Sequence, residues 1–223
     1  MPTPYHHGNL KQALVDAALE ILYADGAAAM TLRAVARRAG VTQAAPYHHF
    51  ADRDALLAVV AEVGFGQLLG ALDQVRAAGS PNPRRTMQDL AVVYVRFAID
   101  HPAHYRLMFG NALAEHEPYP ALGQCVLELR RRISEVVTLL QARGLARRGE
   151  PDELALTVWS LAHGLAMLMI DGQMRANVAE PDDVEHLVRE EIGLLLHGMM
   201  STSSLAPPAS ADRAAHARKR ILG

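Results

Sequence analysis

Apolar positions recur at helical spacing along most of the 223-residue chain. Leu10, Leu14, Ala17, Ala18, Ile21 and Leu22 form a first stripe, with Asn9 placed to cap it and Asp25-Gly26 to stop it. Thr31 caps a short second helix carrying Leu32, Val35, Ala36 and Ala39, and Gly40 ends it. Thr42 caps a third, very short element over 43–49, and Ala51-Asp52 opens a fourth with Leu56, Leu57, Val60 and Val63 inward. Gly64, Gly66 and Gly70 fall inside that continuing pattern. Glycine costs about 1 kcal/mol in a helix interior relative to alanine, so these positions predict close packing or a bend.

Beyond the loop at Gly79-Ser80-Pro81-Asn82-Pro83, a helix runs through Met87, Leu90, Val93, Tyr94 and Phe97. It should stop at His101-Pro102, because the residue before a proline is pushed out of the α region. A short helix through Tyr105, Leu107, Met108 and Phe109 follows, then a polar loop at 115–120, a long helix over 122–141 and further helices over 151–169 and 181–200. From residue 201 onward Ser, Pro and Ala dominate, which predicts a disordered tail with a basic end (Arg213, Arg218, Lys219, Arg220). No run of alternating β-branched residues suggests a sheet, so the expected class is all-α. The expected division is a helical N-terminal part over 5–57, a second helical part over 58–200, and a tail over 201–223.

Composition narrows this reading. Hydrophobic residues make up 50% of the chain and aromatics only 5%, so the core must be largely aliphatic, as suits helices. The formal net charge is −2, so any nucleic-acid reading rests on local pattern and not on global charge. The single cysteine, Cys125, cannot form a disulfide within the chain and reads as a small buried hydrophobe. No segment reaches 18 consecutive apolar residues, and residues 1–9 carry no apolar signal region, which makes the cytoplasm the expected location. There is no Gly-rich phosphate loop, no GxSxG and no pair of carboxylates on one helix face, which argues against an enzyme and against a cofactor. The pairs His6-His7, His48-His49 and His101/His104 lack metal-ligand spacing, so no metal site is expected.

The segment TLRAVARRAGVTQAAPYHHF, residues 31–50, places two short helices around a tight Gly40-Val41 turn. In a helix-turn-helix the second helix enters the major groove while the first crosses the backbone. Leu32, Val35, Ala36, Val41 and Phe50 would hold the pair inward, leaving Arg33, Thr42, Gln43, Tyr47, His48 and His49 free for phosphates or base edges. The pattern alone also fits a helical adaptor that binds protein.

Thr31-Leu32-Arg33, Gly40-Val41-Thr42, Tyr47-His48-His49-Phe50 and Arg53 stand in the register of the tetracycline-repressor (TetR) family's DNA-binding domain, which residues 10–57 resemble. The resemblance implies that Thr42 caps the recognition helix and touches a phosphate. It implies that Gln43 and Ala44 face base edges, that Tyr47 and His49 contact the DNA backbone, and that Arg33 and Arg53 add positive charge nearby. The chain departs from the common family pattern with Ala44 and Pro46, and the proline restrains Ala45. Tyr5-His6-His7-Gly8-Asn9-Leu10, Ala45-Pro46-Tyr47 and the segment from Phe97 to Phe109 are similar to the branch with a WHG sensor domain, whose Trp, His and Gly are here Trp159, His163 and Gly164.

The resemblance implies a helix-turn-helix DNA-binding domain over 5–57 and a ligand-binding and dimerisation domain over 58–200, in an effector-released repressor, homodimeric through its last two helices, on a palindromic double-stranded operator. Trp159, His163 and Met167 lie four apart on one helix face. They form either a wall of an effector pocket, with His163 orienting the ligand, or a packed core or dimer face. Gly164 suggests close helix–helix approach. Tyr94, Phe97, His101, Tyr105, Met108 and Phe109 concentrate aromatic and soft side chains, and read either as the lining of a pocket for a small apolar effector or as plain core.

Overall fold

The computed structural model describes residues 10–110, 119–174 and 181–200, and all regular elements among them are helical. They are α1 (Leu10–Asp25), α2 (Leu32–Arg38), α3 (Arg53–Ala77), α4 (Pro83–Asp100), α5 (Pro102–Phe109), α6 (Pro120–Ala142), α7 (Pro151–Ile170) and α8 (Pro181–Met200). Two 3-10 turns, Ala27–Ala29 and Ala45–His48, complete the N-terminal part. Asn9, the histidines at 6 and 7, the expected loop at 115–119 apart from Tyr119, and the tail at 201–223 lie outside the described residues.

The helix ends follow local chemistry. Thr31 Oγ1 accepts the Ala34 N–H at 3.1 Å and Asp52 Oδ1 accepts the Ala55 N–H at 2.8 Å, capping α2 and α3. Helices α4, α5, α6 and α7 each begin with a proline, whose missing N–H costs nothing in the first turn. For that reason Pro120 belongs to α6 and not to the loop before it. At the end of α2, Gly40 adopts φ 70° while its N–H bonds to Arg37 O and the Val41 N–H bonds to Ala36 O. This Schellman closure turns the chain sharply towards the next element.

That next element differs from expectation. It is a 3-10 turn over Ala45–His48, with bonds from Ala45 N to Thr42 O, Tyr47 N to Ala44 O and His49 N to Pro46 O. Thr42 makes no side-chain cap to it. Proline at 46 removes the N–H that an α-helix capped by Thr42 would direct back to residue 42, leaving the tighter i+3 pattern.

Helix α3 joins the two parts. A division at 57/58 falls inside its 25 continuous residues. Its start packs with α1, and it runs on against α4, α5 and α6. Leu56, Leu57, Val60, Phe65 and Leu68 are fully buried along it. Helix α4 is central to the C-terminal part, touched by α3, α5, α6, α7 and α8. By length and hydropathy α3 and α7 would each reach across a bilayer, but α3 is half-buried among the other helices.

Candidate DNA-binding face and effector cavity

On the N-terminal face, Pro46 and Phe50 are buried and anchor the recognition turn, while Thr42, Gln43, Ala44, Tyr47, His48 and His49 are exposed beside it. Tyr47 is 55% exposed, unusual for so large a side chain. Thr31 and Arg33 are exposed at the start of α2. Arg38 is drawn instead to Glu20 at 3.3 Å, across to α1. The surface therefore offers hydroxyl, amide, imidazole and guanidinium groups on one continuous run.

Arg53 lies apart from that run in its bonding. Its Nε donates to Met30 O and its Nη2 to Ala27 O, both at 2.8 Å, and Nη1 lies 3.5 Å from Asp54. The guanidinium thus ties the start of α3 to the 3-10 turn after α1 through two backbone carbonyls. The sequence pattern gives it a positive charge near DNA. The fold gives it a bracing position.

The C-terminal part holds a narrow apolar cavity between α3, α4, α6 and α7, with about 20 Å³ of room, space for about one water molecule. Tyr94 and Trp159 line it, together with Leu90, Leu129, Ile133 and Arg132. Of the nine effector residues expected from sequence, only Tyr94 and Trp159 belong to this lining. Phe97 and His101 turn the other way, their rings 5.0 Å apart, with His101 6.5 Å from Tyr23 of α1. Met108 is buried against Gly64 of α3. Phe109 fills the space between, its ring 4.8 Å from Tyr105, 5.3 Å from His163 and 5.2 Å from Phe65. Met167 is half-buried against the core. The aromatics are therefore mostly wall and filling, and aliphatic side chains make the surface a ligand would touch.

Behind the cavity, four polar side chains meet. The Trp159 indole N–H donates to the Tyr94 hydroxyl at 3.0 Å, and the Tyr105 hydroxyl donates to the same oxygen at 2.9 Å. His163 Nδ1 lies 3.0 Å from the Tyr94 hydroxyl and 2.6 Å from that of Tyr105. Burial pushes both phenols well above the ordinary tyrosine range and lowers the imidazole, so phenols and histidine are all neutral. Neutral His163 then accepts at Nδ1, and two phenolic protons serve three short contacts. Such a cluster fixes the relative positions of α4, α5 and α7.

The residue before Tyr105 on α5 faces the opposite way. His104 is fully buried, with Nε2 2.7 Å from Val60 O of α3 and Nδ1 3.1 Å from the Tyr23 hydroxyl of α1. A carbonyl only accepts, so Nε2 carries the proton and Nδ1 accepts from Tyr23. Burial lowers the His104 pKa, which keeps the ring neutral. Neither Tyr23 nor His104 stands out as a contact in the sequence, because nothing in the spacing of 23, 60 and 104 shows that three helices meet there.

Gly164 has open space where a Cβ would project. Among the described residues, no atom of another helix comes close to that position. Among the described residues, no group of three or more His, Cys, Asp or Glu is arranged to hold a metal ion.

An all-helical chain with a capped helix, a glycine turn and an exposed recognition turn in front of a helical cavity has the design of a helix-turn-helix transcription regulator. The family model described as bacterial regulatory proteins, tetR family, matches residues 14–60, and that described as tetracyclin repressor-like, C-terminal domain, matches residues 87–195. The chain belongs to the TetR family, and residues 14–60 are its DNA-binding domain. Family membership makes it a transcription regulator and not an enzyme. It is 34% identical over 91 residues to the HTH-type transcriptional regulator BetI of Rhizobium meliloti, an alignment covering 40% of this chain and 43% of that relative. The chain thus matches under half the length of that relative. A protein of unknown function from Rhodococcus sp. RHA1 is 32% identical, with a TM-score of 0.78 over 90% of this chain and all of that one. The TetR-family regulator PfmR of Thermus thermophilus, at 17% identity and a TM-score of 0.61 over 90% of this chain and all of that one, shares the fold.

Proposed function

We propose that this regulator is an effector-released repressor in the cytoplasm that binds a palindromic operator as a homodimer. The observation that carries the reading is the recognition turn, held by buried Pro46 and Phe50 while Thr42, Gln43, Ala44, Tyr47 and His49 stand free. Gln43 is the base-reading candidate, since its amide can pair bidentately with adenine. The neighbouring hydroxyl, imidazole and guanidinium groups position the backbone.

Dimerisation is supported by the outer faces of α7 and α8. Leu156, Leu168 and Leu194 are exposed there, a set of large apolar groups that a lone copy leaves in water. Open space at Gly164 suits a partner helix. A two-fold dimer would set two recognition turns about 34–36 Å apart, one turn of duplex. Leu168→Glu should then yield monomers in light scattering.

The supported coupling route is α5. Tyr105 joins the cluster behind the cavity, and His104, one residue earlier, bonds to α1 and α3. A ligand that displaces Tyr94 or Trp159 would shift α5 and so the DNA-binding domain. Titrating purified protein against the DNA flanking its own gene, at two salt concentrations and with unrelated competitor, tests the reading. Specific, salt-weakened binding is expected. Equal affinity for all sequences would remove the operator.

A further inference from the structure

Helix α2 carries three arginines, and the fold uses them unequally. Arg38 turns to α1, where it lies 3.3 Å from Glu20 and 3.9 Å from Asp25. Arg33 and Arg37 are exposed, and among the described residues neither makes an ion pair or a side-chain hydrogen bond. They stand four apart, so they share one face of the helix. Like charges at that spacing repel, and Arg33 also lies in the first turn, where the helix dipole disfavours a cation. Acidic residues to offset this row are not scarce, since the chain has 24 Asp and Glu against 22 Lys and Arg. Those flanking it are committed elsewhere. Glu20 and Asp25 face Arg38, Asp52 caps α3 through the Ala55 N–H, and Asp54 faces Arg53 at 3.5 Å.

The charge that balances the row therefore comes from outside the chain. We infer that Arg37 is a positioning residue that grips a phosphate of the duplex, one helical turn beyond Arg33. The inference rests on residues 14–60 being the DNA-binding domain, and needs neither a homodimer nor an effector. In a helix-turn-helix the first helix crosses the DNA backbone, and α2 is that helix, packed against the recognition turn and joined to it through Gly40. Four residues of α-helix rise about 6 Å, which lets the two guanidiniums reach separate phosphates. A guanidinium with its donors uncommitted can hold a phosphate through two parallel bonds. Such a contact fixes the register of the protein on the duplex without reading its sequence.

The full-length protein is titrated against a labelled duplex from the DNA flanking its own gene, and against an unrelated duplex of equal length, over a range of salt concentrations. In Arg37→Ala the slope of log K against log salt is expected to fall by about one for each copy bound, with affinity lost by the same factor on both duplexes. Arg37→Lys keeps the charge and should restore the slope. Arg38→Ala, whose arginine is held by Glu20, should leave the slope unchanged. An unchanged slope in Arg37→Ala overturns the inference and leaves the DNA-binding face standing. An equal fall in Arg38→Ala also overturns it, since the effect would then be one of general surface charge. Affinity lost only on the flanking duplex overturns it too, by making Arg37 a reader of bases. If Arg37→Ala loses its helical circular dichroism, Arg37→Gln carries the same test. Wild-type protein that binds no duplex in a salt-dependent way overturns the DNA-binding face itself, and Arg37 with it.

Discussion

Gly64 of α3 and His104 of α5 occupy the space of one side chain. A Cβ on Gly64 would lie 2.6 Å from His104 Cδ2 and 2.6 Å from Met108 Sδ. Because glycine leaves that volume empty, the imidazole reaches the carbonyl of Val60, one turn earlier on the same helix, at 2.7 Å. The DNA-binding part and the cavity part are therefore joined through a contact that a single methyl group would block.

Gly64→Ala should destabilise the protein by about 1–3 kcal/mol, because helix propensity gains less than the overlap costs. Gly66→Ala, where a Cβ meets open space, should stabilise it by up to about 1 kcal/mol. Denaturant unfolding of the two variants side by side measures the difference. Equal effects would mean that α5 moves aside freely.

Acid should weaken the fold near the pKa of free histidine. His104 has an ordinary value of 6.5, which burial lowers, and His163 is lowered for the same reason. The unfolded chain then binds more protons than the folded one as pH drops below about 6.5. Stability is fully present above that value and is lost as pH falls towards the folded pKa. Melting temperature should fall between pH 7.5 and 5.5, and less steeply in His104→Gln, which cannot titrate. An equally steep fall in the variant would assign the proton uptake elsewhere.

Tyr94→Phe should cost more than Tyr105→Phe. Removing the Tyr94 hydroxyl strands the Trp159 indole N–H, whereas without the Tyr105 hydroxyl Tyr94 still donates to His163. An unsatisfied buried donor costs about 1–3 kcal/mol. A double-mutant cycle on the two tyrosines reads the coupling, expected to be well above the additive limit of about 0.3–0.5 kcal/mol.

Tyr47→Ala and Arg53→Ala should separate binding from bracing. Tyr47 is exposed, so its removal should leave the melting temperature unchanged while weakening DNA affinity. Arg53→Ala loses two bonds to backbone carbonyls and should lower the melting temperature by several degrees. If Arg53 also contacts a phosphate, the slope of log K against log salt would drop by about one in that variant.

Much of the fold is legible in the chain because its signals are local. The stripe from Leu10 to Leu22, the Thr31 cap, the Gly40 stop and the His101-Pro102 break all act within a few residues, and each helix lies where they put it. The recognition element is the instructive exception. The Thr42 position suggests an α-helix cap, but Pro46 withholds one N–H and a 3-10 turn results. The proline is visible in the sequence, and its effect on hydrogen bonding outweighs the capping pattern.

The cavity region is less legible. A periodic run such as Met87, Leu90, Ala91 and Tyr94 identifies an inward face, but not whether that face meets another side chain or a gap. Phe97, His101 and Phe109 fill or turn away from the cavity, because α5 packs its aromatics between α3, α4 and α7.

The sequence by itself determined the all-helical class, the order of the helices and which residues stay exposed around the recognition turn, since periodicity, caps and prolines act over one or two turns. Only the tertiary structure decided that Gly64 admits His104, that Arg53 braces backbone carbonyls, and that Arg132 reaches the cavity already engaged by Asp73. Those pairings join residues 23 to 59 positions apart, and which of many inward faces meet is set by how whole helices pack, not by any short stretch of chain.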